Sequence, residues 1–424
     1  MTCTGNNQFD ISRRKVLKGV GASLAAAPLM GSLGGCSSAE SAPVLPNAGN
    51  YYSRLVILGS MGGVSYWPGS TRASSSTALV VGNSIYLVDL GQGSMYRLNE
   101  AFNAQSMVSA DGTYQGSGSS SFLKNVKALF FTHLHQDHIA DYANLLLIGP
   151  GAGLGAVEPL QVIGPCNRGQ LDYNKSNFDE SGIVYTDSAH PYLITPTPGT
   201  SQMTDLVWQA FSQAINDITL DDAYPDYRSL VTVREIGAPL PTQASPTCPT
   251  TPKFLIYPQD ENGVSVWATL VDHHQVYPAF AYRFDTPDGS VVFSGDTGPN
   301  TTADRSLAND SPLLANGNLQ QLADGADILV HEVIDQNWVN YRFGSNPDPA
   351  TRNYALRQHM LTAHTPIDCV GRVASYCNVK TLVLNHIVPG MTPVSHLLQA
   401  QQNFSGNLII ADDLMEIGIG KAAK

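Results

Sequence analysis

Positive charge is what this sequence has least of. Its 424 residues carry 23 Lys and Arg against 35 Asp and Glu, a formal net charge of −12, and charged residues of either sign make up only 14%. A polyphosphate backbone is repelled by such a chain unless basic residues gather in one patch, so nucleic acid is not expected as the main partner. Cysteine is scarce, at six residues, and the chain is far too long for a disulfide-stapled mini-protein. No repeat of 20–50 residues is evident, which excludes a solenoid or propeller. What is present is 43% hydrophobic residues with 38 Gly and 26 Pro, the composition of a loop-rich globular protein. The length suits one large α/β domain or two medium ones.

Residues 1–36 read as an export signal. Arg13-Arg14 stands before a Gly/Ala-rich stretch ending at Leu33 that is too short and too weakly apolar to span a bilayer. The following Leu33-Gly34-Gly35-Cys36 resembles the bacterial lipoprotein cleavage box. The expectation is export by the twin-arginine (Tat) route, lipidation of Cys36, a Ser/Ala/Pro-rich tether over 37–50, and a periplasmic or outer-membrane lipoprotein. The signal resemblance implies a route that carries proteins already folded. Of the remaining cysteines, Cys166 and Cys248 lie in Pro-rich loops and form the more plausible disulfide. Cys369 and Cys377 are eight apart in a helix-like segment, about 12 Å along its axis, and should not bond to each other.

Beyond the tether the chain divides into two similar halves. Strands are expected at Tyr52–Gly59, Ala78–Val81, Ile85–Val88, Val126–Phe131 and Leu160–Gly164, with helical spacing over Met203–Ile218. The polar segment 105–121 and the Pro/Thr/Ser-rich segments 167–202 and 237–252 read as insertions. Strands recur at Phe254–Tyr257, Val264–Val271, Ala279–Phe284 and Val291–Phe293. Helix-like 312–323 then precedes Ile328–Val330, and helix-like 366–376 precedes Thr381–Leu384. Each half starts with antiparallel strands and ends with helices alternating with strands. Two mixed sheets packed face to face with helices outside, an αββα sandwich over 51–424, is the α/β fold expected.

The chemistry concentrates after Val126–Phe131, in Thr132-His133-Leu134-His135-Gln136-Asp137-His138. Histidines at i and i+2 of an extended segment point to one side, and the carboxylate and third histidine start a helix beyond it. Imidazole and carboxylate without thiolate suit zinc, iron or manganese in a hydrolytic site.

With this motif in place, the sequence resembles the metallo-β-lactamase-fold hydrolases over nearly the whole mature chain. Within them it is most similar to the ribonuclease Z-like branch, which includes secreted arylsulfatase-type enzymes. Besides the histidine motif, Leu58–Gly63, Tyr86–Gly93, Val271-Asp272-His273 with Ala281-Tyr282-Arg283, Ser294–Thr297, Val330-His331-Glu332, Ala363-His364-Thr365 and Leu384-Asn385-His386 carry the resemblance, in matching order. It implies that His133, His135 and His273 hold one metal, that Asp137, His138 and His386 hold a second, and that Asp296 bridges them. His274 competes with His273 and is assigned to a supporting place. The cofactor expected is a pair of divalent ions, zinc first, with manganese and iron open.

The resemblance also implies a catalytic set of Asp137, His364 and Glu332, with His364 protonating the leaving oxygen and Glu332 orienting it. Asp89 is expected to hydrogen-bond the metal loop and hold it. His190, His359 and His396 stand in no motif and are assigned to surface or packing. Two metals sharing a hydroxide would attack an ester, and anionic esters fit a doubly cationic centre best. The function expected is hydrolysis of a small anionic phosphodiester or sulfate ester, a phosphodiesterase or arylsulfatase reaction. Ribonuclease Z-like tRNA 3′-processing, a lactonase or other carboxyl-ester hydrolase, and a non-enzymatic metal-binding lipoprotein remain as alternatives. Specificity is expected in 167–202, 220–252 and 335–360, where Trp338, Tyr341, Arg342, Phe343 and Arg352 compete with a plain surface loop for the pocket mouth. A membrane is a partner only through the lipid, and a homodimeric state is left open.

Overall fold

A computed structural model describes residues 48–103, 108–115, 120–167, 198–237, 248–274, 276–299 and 317–422. The expected export signal, Cys36 and most of the tether lie outside them, as do 168–197 and 238–247 of the expected insertions. The β-branched runs form strands buried on both faces, which side-chain alternation turns into two separate cores. In Ser53–Gly59 (β1), Ser76–Val81 (β2) and Ser84–Val88 (β3), one set of alternate residues enters the middle of the molecule: Leu55, Ile57, Leu79, Val81, Tyr86 and Val88. The intervening Val56, Leu58, Ala78, Val80, Ile85 and Leu87 join an outer cluster.

Val126–Phe130 (β4), Leu160–Pro165 (β5) and Val231–Ile236 (β6) extend this sheet in parallel from β3. The second sheet runs antiparallel through Phe254–Tyr257 (β7), Ser265–Leu270 (β8), Phe280–Thr286 (β9) and Gly289–Phe293 (β10). It turns parallel through Ile328–Ile334 (β11), Thr381–Val388 (β12) and Asn407–Ile410 (β13). Glu416–Ile419 (β14) returns to the first sheet, giving orders β14-β1-β2-β3-β4-β5-β6 and β13-β12-β11-β10-β9-β8-β7. Helices Ser94–Phe102 (α1), Gln136–Ile139 (α2), Tyr142–Ile148 (α3), Thr200–Ala210 (α4) and Ser212–Asp221 (α5) belong to the first half. Asn318–Ala323 (α6), Gln336–Phe343 (α7), Arg352–Ala363 (α8), Ile367–Tyr376 (α9) and Val394–Leu397 (α10) belong to the second. The expected sandwich of two mixed sheets flanked by helices is the observed architecture.

Several boundaries differ from the sequence reading, each for a physical reason. Val231–Ile236, placed within an insertion, is the edge strand β6; its Thr232 and Glu235 are not enclosed, so the polar half of the alternation hides it. The helix expected over Met203–Ile218 is two helices broken at Phe211. The 335–360 segment, left between a pocket mouth and a plain surface loop, holds α7 and most of α8. They are capped by Asp335, whose carboxylate accepts from Asn337 N, and by Thr351, whose hydroxyl accepts from Tyr354 N. Strands β11 and β12 continue past Val330 and Leu384, because apolar Val333-Ile334 and Ile387-Val388 resume beyond the polar site residues. The sequence reading also lacks β13 and β14. Cys166 and Cys248 are free thiols rather than a disulfide, and both lie near the Tyr277 phenol. Cys369 and Cys377 are buried thiols. Among the described residues, no helix is long and apolar enough to cross a membrane.

Candidate metal centre

The parallel strands of both sheets end on the same side, and the polar residues that follow them meet there. Asp89 follows β3, Thr132 to His138 follow β4, His273 follows β8 and Asp296 follows β10. Glu332 lies within β11. His386 lies within β12 rather than at its end, and a register shift shows how it is aimed. Glu332 pairs with Asn385 and Val333 with Ile387, which leaves His386 as the extra residue of a bulge at φ 45°. Gly62 makes room for its ring, since a Cβ there would overlap the imidazole.

The structure brings all seven sequence-assigned ligands together in two groups. His133, His135, His273 and Asp296 form the first, with His273 Nε2 3.3 Å from His135 Nδ1. Asp296 Oδ2 lies 3.8 Å from His133 Nε2 and 3.7 Å from His273 Nε2. Asp137, His138, Asp296 and His386 form the second. There Asp296 Oδ1 lies 3.3 Å from His138 Nε2 and 3.2 Å from His386 Nε2, which is 3.1 Å from Asp137 Oδ2. Ligands at zinc bond lengths in a tetrahedron are separated by about 3.3–3.4 Å, and these spacings fall around that value. His133 Nε2, Asp137 Oδ1, His138 Nε2 and Asp296 Oδ1 are buried without a hydrogen-bond partner among the described residues. Each such atom costs about 1–3 kcal/mol unless something occupies its lone pair. Four converging in one place fit a pair of divalent cations.

Neighbours fix the rings. Asp89, itself at φ 59°, accepts from Thr132 N at 2.8 Å and Thr132 Oγ1 at 2.9 Å, and from His138 Nδ1 at 2.8 Å, which leaves His138 Nε2 for a metal. His273 Nδ1 donates to the Ala363 carbonyl at 2.8 Å. Gly63 N donates to Asp137 Oδ2 at 2.7 Å. Burial drives His133 and His273 well below the ordinary histidine range. Burial opposes charge on His138 as well, but Asp296, Asp89 and Asp137 outweigh it and hold that ring well above the range.

His364 and Glu332 adjoin the ligands. Glu332 Oε1 accepts from Thr365 N at 2.8 Å and Thr297 N at 3.2 Å, and Oε2 faces His364 Nδ1 at 3.4 Å. Burial alone would lower His364, but Glu332 and Asp296 raise it to about 9. His364 stacks on His386 with centroids 5.9 Å apart. Of the competing pair, His273 enters the cluster and His274 packs on His359 at 5.2 Å. Burial, with His274, His364 and His135 nearby, pushes His359 down to about 4, so this packed residue lies close to the centre. Thr132 also escaped the sequence reading, although a hydroxyl directly before the histidine motif was the available signal. Trp338 packs edge-on against Trp67 at 5.2 Å, and Trp67 Nε1 donates to Gly62 O at 2.9 Å, which puts this aromatic pair beside the glycine turn under His386.

No family model matches the chain. It is similar to the curated "Ribonuclease Z" of Mycobacterium sp. strain KMS, at 25% identity over 355 residues, covering 83% of this chain and 92% of that protein. It is equally similar to "Ribonuclease Z" of Mycobacterium bovis strain BCG / Pasteur 1173P2, at 25% over 357 residues, covering 83% and 94%. Among solved structures it aligns with the short form of human tRNase Z at a TM-score of 0.48 and 16% identity, over 87% of this chain and 100% of that one.

Proposed function

We propose that this chain is a two-metal hydrolase of phosphodiester bonds in small anionic esters. The observation that carries the reading is Asp296, one buried carboxylate whose two oxygens face two separate histidine groups. Two divalent ions held there would supply an activated water and neutralise charge on the ester oxygens. The chain's own part is to hold its ligands in place and to move one proton. Asp89 and the Ala363 carbonyl fix the tautomers of His138 and His273. Glu332 faces the Nδ1 side of His364, which leaves Nε2 as the atom from which a protonated His364 would donate to the departing alkoxide or phenoxide. Asp137 serves as ligand, with Oδ2 held by Gly63 N.

The ribonuclease Z names of the relatives favour a second reading, tRNA 3′-processing. Against it stands the net charge of −12. Metal-loaded protein assayed on bis(p-nitrophenyl) phosphate, an aryl sulfate, a lactone and a precursor tRNA separates the readings. Turnover of the phosphodiester well above the others is expected, and precursor tRNA as the best substrate would overturn the proposal. Export as a lipoprotein rests on Arg13-Arg14 and on the Leu33–Cys36 box. Cys36→Ser should release the protein from the membrane fraction, and retention there would remove the lipid anchor from the account.

A further inference from the structure

Burial around the centre is uneven among the described residues. His133, His138 and His273 are at most 1% exposed, whereas His135, His274 and His359 are only partly buried. Among the described residues these last three are the less buried histidines at the centre, and two of them belong to neither metal group. His274 holds φ 56°, a left-handed conformation that costs a histidine and suits a glycine. Its turn is pinned: His274 N donates to Asp272 Oδ1 at 3.0 Å, and Val276 N returns to the His273 carbonyl at 3.0 Å. His359 sits on α8 one turn before Ala363, whose carbonyl accepts from His273 Nδ1. Thr365 N, just beyond α8, is tied to Glu332. The end of α8 is thus locked to the centre, and His359 packs edge-on against His274 with His135 and His364 close by.

We infer that His274 and His359 form a substrate-binding pair at the mouth, donating N–H groups to the phosphoryl oxygen that points away from the metal ligands. An imidazole carries at least one N–H whether neutral or charged, and a donor facing a phosphate anion makes a charge-assisted hydrogen bond. The strain at His274 places a ring where a relaxed glycine would leave a gap. This assignment rests on the phosphodiesterase reading and deepens it: the pair selects anionic phosphodiesters over neutral esters.

The test uses His274→Gly, His359→Leu and His359→Gln in metal-loaded full-length protein, with bis(p-nitrophenyl) phosphate as substrate, p-nitrophenyl acetate as neutral ester and inorganic phosphate as ligand. Two ions per chain should be retained throughout, and His274→Gly should melt no lower than wild type because it relieves the strained φ. KM for the phosphodiester and the dissociation constant for phosphate by calorimetry should both rise roughly tenfold to a hundredfold, the effect of losing a hydrogen bond to a charged group. The kcat for the phosphodiester and the kinetics on the neutral ester should stay near wild type. His359→Gln, which keeps an N–H, should recover part of the loss. Unchanged KM and unchanged phosphate affinity in His274→Gly and His359→Leu would overturn the inference. Wild-type protein that does not turn over the phosphodiester would instead overturn the function proposed above, and the phosphate calorimetry would still decide this pair.

Discussion

In the group of Asp137, His138 and His386, each ligand is backed by a specific contact. His138 has the Asp89 carboxylate, Asp137 has the Gly63 amide, and His386 has its bulge with Gly62 cleared beneath the ring. In the group of His133, His135 and His273 the supports are neutral: the Thr132 hydroxyl at 3.1 Å from His133 Nδ1 and the Ala363 carbonyl on His273. His135 lies half-open at the N-terminus of α2. A carboxylate behind an imidazole raises its basicity as a ligand more than a carbonyl does. On the proposed two-metal reading, the enclosed group of Asp137, His138 and His386 would therefore retain its ion more tightly than the group that includes half-open His135. Limiting chelation should strip the group of His133, His135 and His273 before the group of Asp137, His138 and His386.

The largest effect tests what joins the two groups. Asp296→Asn removes the one carboxylate shared between them and keeps the shape, so both ions should be lost and turnover should fall to background. Metal analysis of protein purified under replete conditions checks this, and two ions retained with normal turnover would break the comparison at its root. His135→Ala should keep the enclosed ion and lose the other. Next in size is His364→Ala, which should keep both ions yet slow the reaction by roughly 10²–10⁴, the range for general-acid catalysis. The deficit should shrink as the leaving-group pKa falls, since a nitrophenolate hardly needs the proton. Parallel plots of log rate against leaving-group pKa for wild type and variant would remove His364 from the proton transfer.

The sequence made the ligands legible and concealed much of what positions them. His133, His135, Asp137 and His138 stand in one short motif at the end of an apolar strand, and local spacing suffices to read them. His386 could be named, but its place inside β12 could not. A bulge depends on how Glu332 and Val333 pair with a strand some fifty residues later, and only the folded register shows that. The half-exposed β6 and the capped helices α7 and α8 were missed because polar residues dilute their periodicity, even though Asp335 and Thr351 are ordinary capping residues. His359 was passed over for the same kind of reason. A histidine on a helix carries no local sign of what faces it, and its neighbours His274 and His364 come from other parts of the chain.

The smallest predicted effect sharpens the comparison most. With its one carbonyl oxygen turned to His138 Nδ1, Asp89→Asn keeps that acceptor, but it gives up the bond from Thr132 N, which uses the other oxygen, and removes the negative charge behind His138. The enclosed group would then have the same kind of neutral support that the Ala363 carbonyl gives His273. Affinity for the enclosed ion should fall about tenfold, the low end of what outer ligand partners contribute, with the half-open ion as an internal control. Asp89→Ala should cost more, because it also leaves His138 Nδ1 without its acceptor and disturbs the strained turn at φ 59°. Competition with a graded chelator, read as two steps of metal release, measures both constants in one titration. In wild type the steps should be separated, and in Asp89→Asn they should draw together. If the steps remain as far apart as in wild type, the charge of Asp89 is not what distinguishes the two groups, and enclosure alone must account for the difference.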